Sequence, residues 1–191
     1  MVSVRIFVAV SVNVTQELTA LRQELSQLPA PIRMTHPEDL HMTLKFIGDT
    51  SPAAIPRIWE IVDETAADFG PLNIDLVGLH TFGRPQQAEV LWVGIEPSQQ
   101  IVSIASRLDH QLSTIGIAAE TRTFQPHVTV ARLPSRSTSD PESPTSTIST
   151  LLTANSTTRY GTTTVGTVSL FASDFGASTK NAGPLYTEVE R

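Results

Sequence analysis

Two periods of apolar residues alternate along the chain. Val4–Val10 is a run of apolar, mostly β-branched residues and reads as a buried strand. Asn13 and Gln16 stand at capping-box spacing, and Val14, Leu18, Leu21, Leu25 and Leu28 follow at the three- and four-residue intervals of a helix. Pro29 and Pro31 end it. A loop through Arg33–Asp39 leads into His41–Gly48, which alternates as a strand. Ser51-Pro52 opens a second helix, whose apolar face carries Ile55, Ile58, Trp59, Val62, Ala66 and Phe69 before Gly70 stops it. Leu72–Val77 reads as a strand and Gly78–Gln87 as a loop. Glu89–Ile95 is again a strand. Pro97–Ile115 is again a helix, with Ile101, Ile104, Leu108, Leu112 and Ile115 on one stripe and Gly116 at its end. The strand His127–Arg132, a weak helix over Thr147–Ala154 and a strand over Thr163–Ser173 complete the order.

Strand, helix, His-strand, helix, strand therefore occurs twice. An offset of 86 positions carries His41 onto His127 and Ile6 onto Trp92. This predicts one bilobal domain over 1–191, built from two α+β lobes with approximate sequence halves 1–87 and 88–191, and a ligand site in the cleft between them. Residues 135–164 stand apart: seventeen of these thirty are Ser or Thr, which reads as a long surface loop.

Composition narrows the choices. With 191 residues, 40% hydrophobic and 17% charged, the chain can bury a real core. A net charge of −6 argues against a general nucleic-acid coat, so a nucleic-acid substrate is expected to be gripped at one end or one phosphate. The absence of cysteine excludes a disulfide scaffold, a thiol nucleophile and a thiolate metal site, and fits a cytoplasmic protein. The apolar start Met1–Val10 is short and lacks a basic leader, so it reads as a first strand rather than an export signal. No run reaches membrane-spanning length.

The chemistry lies in the two His-strands. His41-Met42-Thr43 and His127-Val128-Thr129 place an imidazole and a hydroxyl at i and i+2, on one face of each strand. With 24 threonines in the chain, His-x-Thr alone is a weak pattern; its recurrence at the same point of a duplicated order is what carries weight. Two imidazoles suit general acid–base hydrolysis of a phosphate ester, because a histidine can be neutral or charged near pH 7. Thr43 and Thr129 can donate to phosphate oxygens, and Arg132 offers a fixed cationic fork. Strict alternation turns Arg132 away from His127 unless the strand bends near Ala131, whereas Lys45 shares the face of His41 and Thr43. His36 and His80 read as loop residues without a metal-binding pattern, and His110 as a solvent-facing helix residue. Trp59 and Trp92 read as core. Phe82 reads either as a base-stacking loop residue or as a packed anchor.

Taken in order, Arg5–Val10, Pro37–Gly48, Val90–Gly94, Phe124–Arg132 and Leu170–Ser173 with Gly183–Tyr186 resemble the 2H phosphoesterase superfamily over nearly the whole chain. The likeness is greatest to the RNA 2′,3′-cyclic phosphodiesterase branch, also called the 2′-5′ RNA ligase family. The resemblance implies antiparallel sheets with helices on their outer faces, lining a central cleft. It implies hydrolysis of a terminal 2′,3′-cyclic phosphate to a 2′-phosphomonoester with no metal and no cofactor. His41 is then the proton donor, His127 the proton acceptor, and Thr43, Thr129 and Arg132 the phosphate-binding residues. The partner is RNA with a 2′,3′-cyclic phosphate end or a small cyclic nucleotide, with no membrane, and the protein is expected as a monomer. A small substrate such as ADP-ribose 1″,2″-cyclic phosphate, the reverse joining through a 2′-5′ linkage, and a non-catalytic nucleotide or RNA-end binding module are the alternatives. Met34-Thr35 and Ala88-Glu89 depart from the family's usual aromatic–aliphatic and basic residues at those places.

Overall fold

The computed structural model describes residues 3–28, 31–67, 69–84, 88–97, 99–133, 145–174 and 185–191. Its elements run β1 (Val4–Ser11), α1 (Gln16–Ser26), β2 (Arg33–Met34), β3 (His41–Thr50), α2 (Ile55–Ala66), β4 (Leu72–Thr81), β5 (Val90–Glu96) and α3 (Gln99–Ser113). They continue with β6 (His127–Arg132), α4 (Thr145–Ala154), β7 (Arg159–Val165), β8 (Val168–Asp174) and β9 (Leu185–Glu188). Two antiparallel sheets result, one in the order β3-β1-β8-β9 and the other β2-β6-β5-β4-β7.

The sheets do not follow the sequence halves 1–87 and 88–191. β8 and β9 complete the sheet begun by β1 and β3, while β2 and β4 join β5, β6 and β7. The helices exchange in the same way: α1 leaves β1 and packs on β7 of the second sheet, and α3 leaves β5 and packs on β3 of the first. α2 lies on β8 and α3, and α4 on β4. The apolar stripes explain this packing. Leu18, Leu21 and Leu25 of α1 and Ile101, Ile104, Leu108 and Leu112 of α3 are all buried in one continuous core with the inward faces of both sheets.

Several boundaries differ from the sequence expectation. The expected strand Thr163–Ser173 is two strands, β7 and β8, in different sheets, and Gly166-Thr167 is the crossing point. The α1 cap is Thr15, not Asn13: its Oγ1 accepts the Leu18 N–H at 3.1 Å and donates to the Tyr160 carbonyl of β7. The approach is close enough that Gly161, at φ +91, has no room for a Cβ, which would lie 2.8 Å from that of Thr15. Ile115 lies beyond α3 and is exposed. Residues 145–164 are not one long loop: α4 takes in the weak helix expected over Thr147–Ala154, a short turn follows, and the buried Ile148, Leu151, Leu152 and Tyr160 hold α4 and the start of β7 in place. Residues 135–144 of that stretch lie outside the described residues. β4 runs on to Thr81, so His80 sits on a strand.

Candidate active site

β3 and β6, one from each sheet, approach each other, and His41 and His127 are their first residues. Both strands carry the same irregularity. Opposite β1, Val8 pairs with Lys45 and Ala9 with Thr43, which leaves Leu44 as the extra residue of a bulge. Opposite β5, Leu91 pairs with Ala131 and Trp92 with Thr129, which leaves Val130 extra. In each strand the bulge falls three residues after the histidine, and the burial sequence is the same. His and Thr are half-buried, the residue between them is buried, the next two are buried, and the sixth is exposed.

The bulge shifts alternation by one residue. Arg132 is thereby returned to the face of His127 and Thr129, where its charge reaches both imidazoles. This is the bend near Ala131 that the spacing required. The same shift turns Lys45 the other way, so it does not face the cleft with His41. It is buried, and its Nζ donates to Asp109 Oδ1 of α3 at 2.6 Å and to the Ala118 carbonyl at 2.7 Å. Phe46 takes the place in β3 that Arg132 has in β6; it is 66% exposed and its ring lies 6.1 Å from that of Phe7. The strand pairing also resets the internal symmetry. Ala9 and Trp92 lie opposite the two threonines, so β1 and β5 correspond at an offset of 83 (92 − 9) rather than 86.

Each imidazole is held in the same way. His41 Nδ1 lies 2.6 Å from the Asp39 carbonyl and His127 Nδ1 lies 2.7 Å from the Gln125 carbonyl, two residues back in both cases. A carbonyl oxygen only accepts, so Nδ1 carries the hydrogen in both rings and each neutral Nε2 keeps a free lone pair. The hydroxyls of Thr43 and Thr129 make no hydrogen bond to a described residue. Burial holds the His41 imidazole below its ordinary pKa; the Asp39 carbonyl and carboxylate oppose this, while Arg132 and His127 add to it. Burial likewise lowers His127, opposed by the Gln125 carbonyl and assisted by Arg132. A bound anion would offset part of that penalty.

Aromatic rings wall both sides. Phe7 and Tyr186 lie 5.0 and 4.9 Å from the His41 ring, with Phe171 at 6.3 Å. Trp92 and Phe82 lie 5.4 and 5.0 Å from His127. Trp92 is buried, but against His127, His80 and Phe82 rather than in the aliphatic core. Phe82 is both an anchor on Trp92 and a 48% exposed surface. Trp59 is core, as expected. His36 is an exposed residue beside Glu38, and His110 is exposed on α3. Among the described residues no three His, Asp or Glu side chains converge as a metal-binding group. Of these rings sequence reasoning singles out Phe82 alone, because the others come from strands far apart along the chain. The family-like segments contain Phe7, Trp92, Phe171 and Tyr186, but nothing in their spacing marks a role.

A structure-wide comparison finds the same fold in a protein of Thermus thermophilus, at TM-score 0.72 and 21% identity, covering 97% of this chain and 95% of that one. Escherichia coli LigT crystallised with 3′-AMP matches at TM-score 0.70 and 19% identity, covering 99% and 97%. In sequence, the RNA 2′,3′-cyclic phosphodiesterase of Methanothermobacter thermautotrophicus is 29% identical over 189 residues, 98% of this chain and 97% of that protein. The model of the 2′-5′ RNA ligase superfamily matches residues 15–174, which take in both His-strands, and the chain belongs to that superfamily.

Proposed function

We propose that the protein hydrolyses the 2′,3′-cyclic phosphate at an RNA end to a 2′-phosphomonoester, with His127 as general base and His41 as general acid. The observation that carries this reading is the matched pair of imidazoles. Both Nδ1 hydrogens are tied to backbone carbonyls, which leaves both Nε2 atoms for proton transfer beside one guanidinium and two hydroxyls with no hydrogen bond among the described residues. Relatives of similar length are RNA 2′,3′-cyclic phosphodiesterases, which supports the substrate class. His127 Nε2 takes a proton from water as the water oxygen attacks phosphorus. Protonated His41 Nε2 gives its proton to the departing 3′ oxygen as the P–O3′ bond breaks. Thr43, Thr129 and Arg132 bind the non-bridging oxygens, where charge builds in the transition state. The site returns with His127 protonated and His41 neutral, and exchange with solvent resets it.

The test is hydrolysis of an oligonucleotide ending in 2′,3′-cyclic phosphate, with EDTA present and the product identified by mass and phosphatase treatment. The expected product is the 2′-phosphate. Replacing His41 or His127 by Ala should each lower turnover by at least ~10²-fold. A 3′-phosphate product contradicts the assigned leaving group, and a variant of near-normal rate removes that histidine from the mechanism. Binding without turnover identifies a non-catalytic RNA-end module instead.

A further inference from the structure

β2 contains only Arg33 and Met34, and forms the edge of its sheet. Its register is Arg33 opposite Arg132 and Met34 opposite Ala131, and the Thr35 N–H continues the ladder to the Val130 carbonyl at 3.0 Å. Residues directly opposite in an antiparallel pair share a face. Met34 and Ala131 turn to the core, so Arg33 and Arg132 stand side by side on the opposite face, that of His127 and Thr129, both exposed. Like charges placed directly opposite destabilise a sheet. Neither guanidinium has a hydrogen bond or carboxylate partner among the described residues to offset this. An anion bound between them would offset the repulsion.

We propose that Arg33 and Arg132 form a two-phosphate site: Arg132 engages the reacting cyclic phosphate and Arg33 the phosphodiester one nucleotide upstream. This assignment rests on the reading of the site given above. The charge count favours two phosphates over one. A cyclic phosphate carries one negative charge, which the site meets without Arg33, and each upstream phosphodiester adds one more. Arg33 is also one strand further out than Arg132, on the edge of the sheet. In a protein of net charge −6, such a local pair gives an RNA end what the rest of the surface withholds. The substrate class is therefore the end of an RNA chain, in preference to a cyclic mononucleotide.

The experiment compares kcat/KM for 2′,3′-cyclic AMP and for the dinucleotide ApA ending in 2′,3′-cyclic phosphate. The wild-type chain is expected to prefer the dinucleotide by tenfold or more, and Arg33→Ala to bring that preference to within about twofold of unity, mainly through KM. The wild-type preference should also shrink as salt is raised. Arg33→Lys, which keeps the charge without the planar fork, should retain part of it and serves as the comparison if Arg33→Ala lowers the melting temperature. Equal losses on both substrates place Arg33 at the reacting phosphate and overturn the proposal, as does a preference that Arg33→Ala leaves intact. If neither substrate is hydrolysed by the wild type, the phosphodiesterase reading fails; if 2′,3′-cyclic AMP is hydrolysed and only the preference is unmoved, this inference alone fails.

Discussion

Lys45 and Asp109 should be unequal partners under mutation. The Lys45 side chain is 4% exposed and that of Asp109 26%, with 2.6 Å between Nζ and Oδ1. Breaking a buried ion pair costs about 3–5 kcal/mol when the charge left behind cannot be hydrated. Lys45→Met keeps most of the aliphatic packing and leaves Asp109, which is partly hydrated and still accepts the Glu120 N–H at 2.9 Å. Its cost should fall to about 2 kcal/mol, between the exposed and buried limits. Asp109→Ala leaves the more deeply buried ammonium, among the described residues, with the Ala118 carbonyl alone and removes the Glu120 bond as well, so it should cost about 3–5 kcal/mol. The double variant should be less destabilised than the sum, with a coupling of about 1–3 kcal/mol. Urea unfolding of the four proteins measures each term. Lys45→Met costing more than Asp109→Ala, or strictly additive losses, would falsify the assignment of Lys45 as the dehydrated partner.

Stability should fall as pH drops below about 6.5, the ordinary histidine value. Burial lowers the pKa of His41, His127 and His80 in the fold. The unfolded chain therefore binds protons that the folded chain refuses, and stability rises with pH through this window. Urea midpoints at pH 7.5 and 5.0 test the sign, and His41→Asn with His127→Asn should flatten the slope; a midpoint that rises on acidification refutes the shifts. Asp109, held below its ordinary pKa chiefly by its bond to Lys45, adds a loss only at more acidic pH. Gly94→Ala puts a Cβ 2.7 Å from the Val77 carbonyl in the strand that pairs with His127. Overpacking of this kind costs about 1–3 kcal/mol, and thermal melting at unchanged wild-type stability refutes the close approach.

Much of the fold is legible in the sequence because apolar period is a local property. The α1, α2 and α3 stripes, the two His-strands and the pairing of imidazole with hydroxyl all follow from spacing alone. What is not legible depends on backbone irregularity or long-range pairing. Thr163–Ser173 reads as one strand, and only Gly166 marks the point where the chain changes sheets. Strict alternation puts Lys45 in the cleft and Arg132 away from it, and the same kind of bulge reverses both. Arg33 carries no motif, and its place beside Arg132 exists only through a two-residue strand.

The two bulges also explain why a buried lysine exists beside the site. A regular strand offers one face only every second residue, so His and Thr at i and i+2 leave the next cleft position at i+4. The extra residue moves that position to i+5 and sends the i+4 side chain inward. In β6 the inward residue is Ala131, which the core accepts without compensation, and the residue delivered to the cleft is Arg132. In β3 the inward residue is Lys45, which needs Asp109 and the Ala118 carbonyl, and the residue delivered is Phe46. One backbone irregularity thus supplies a cation to one side of the cleft and a ring to the other. The ion pair of Lys45 is the consequence of using it twice with different residues. Loss of the Lys45–Asp109 bond should then disturb the bulge before it disturbs the helices. Amide exchange in the Lys45–Asp109 variants checks this: faster exchange confined first to β3 supports it, and uniform loosening of α3 with β3 unchanged refutes it.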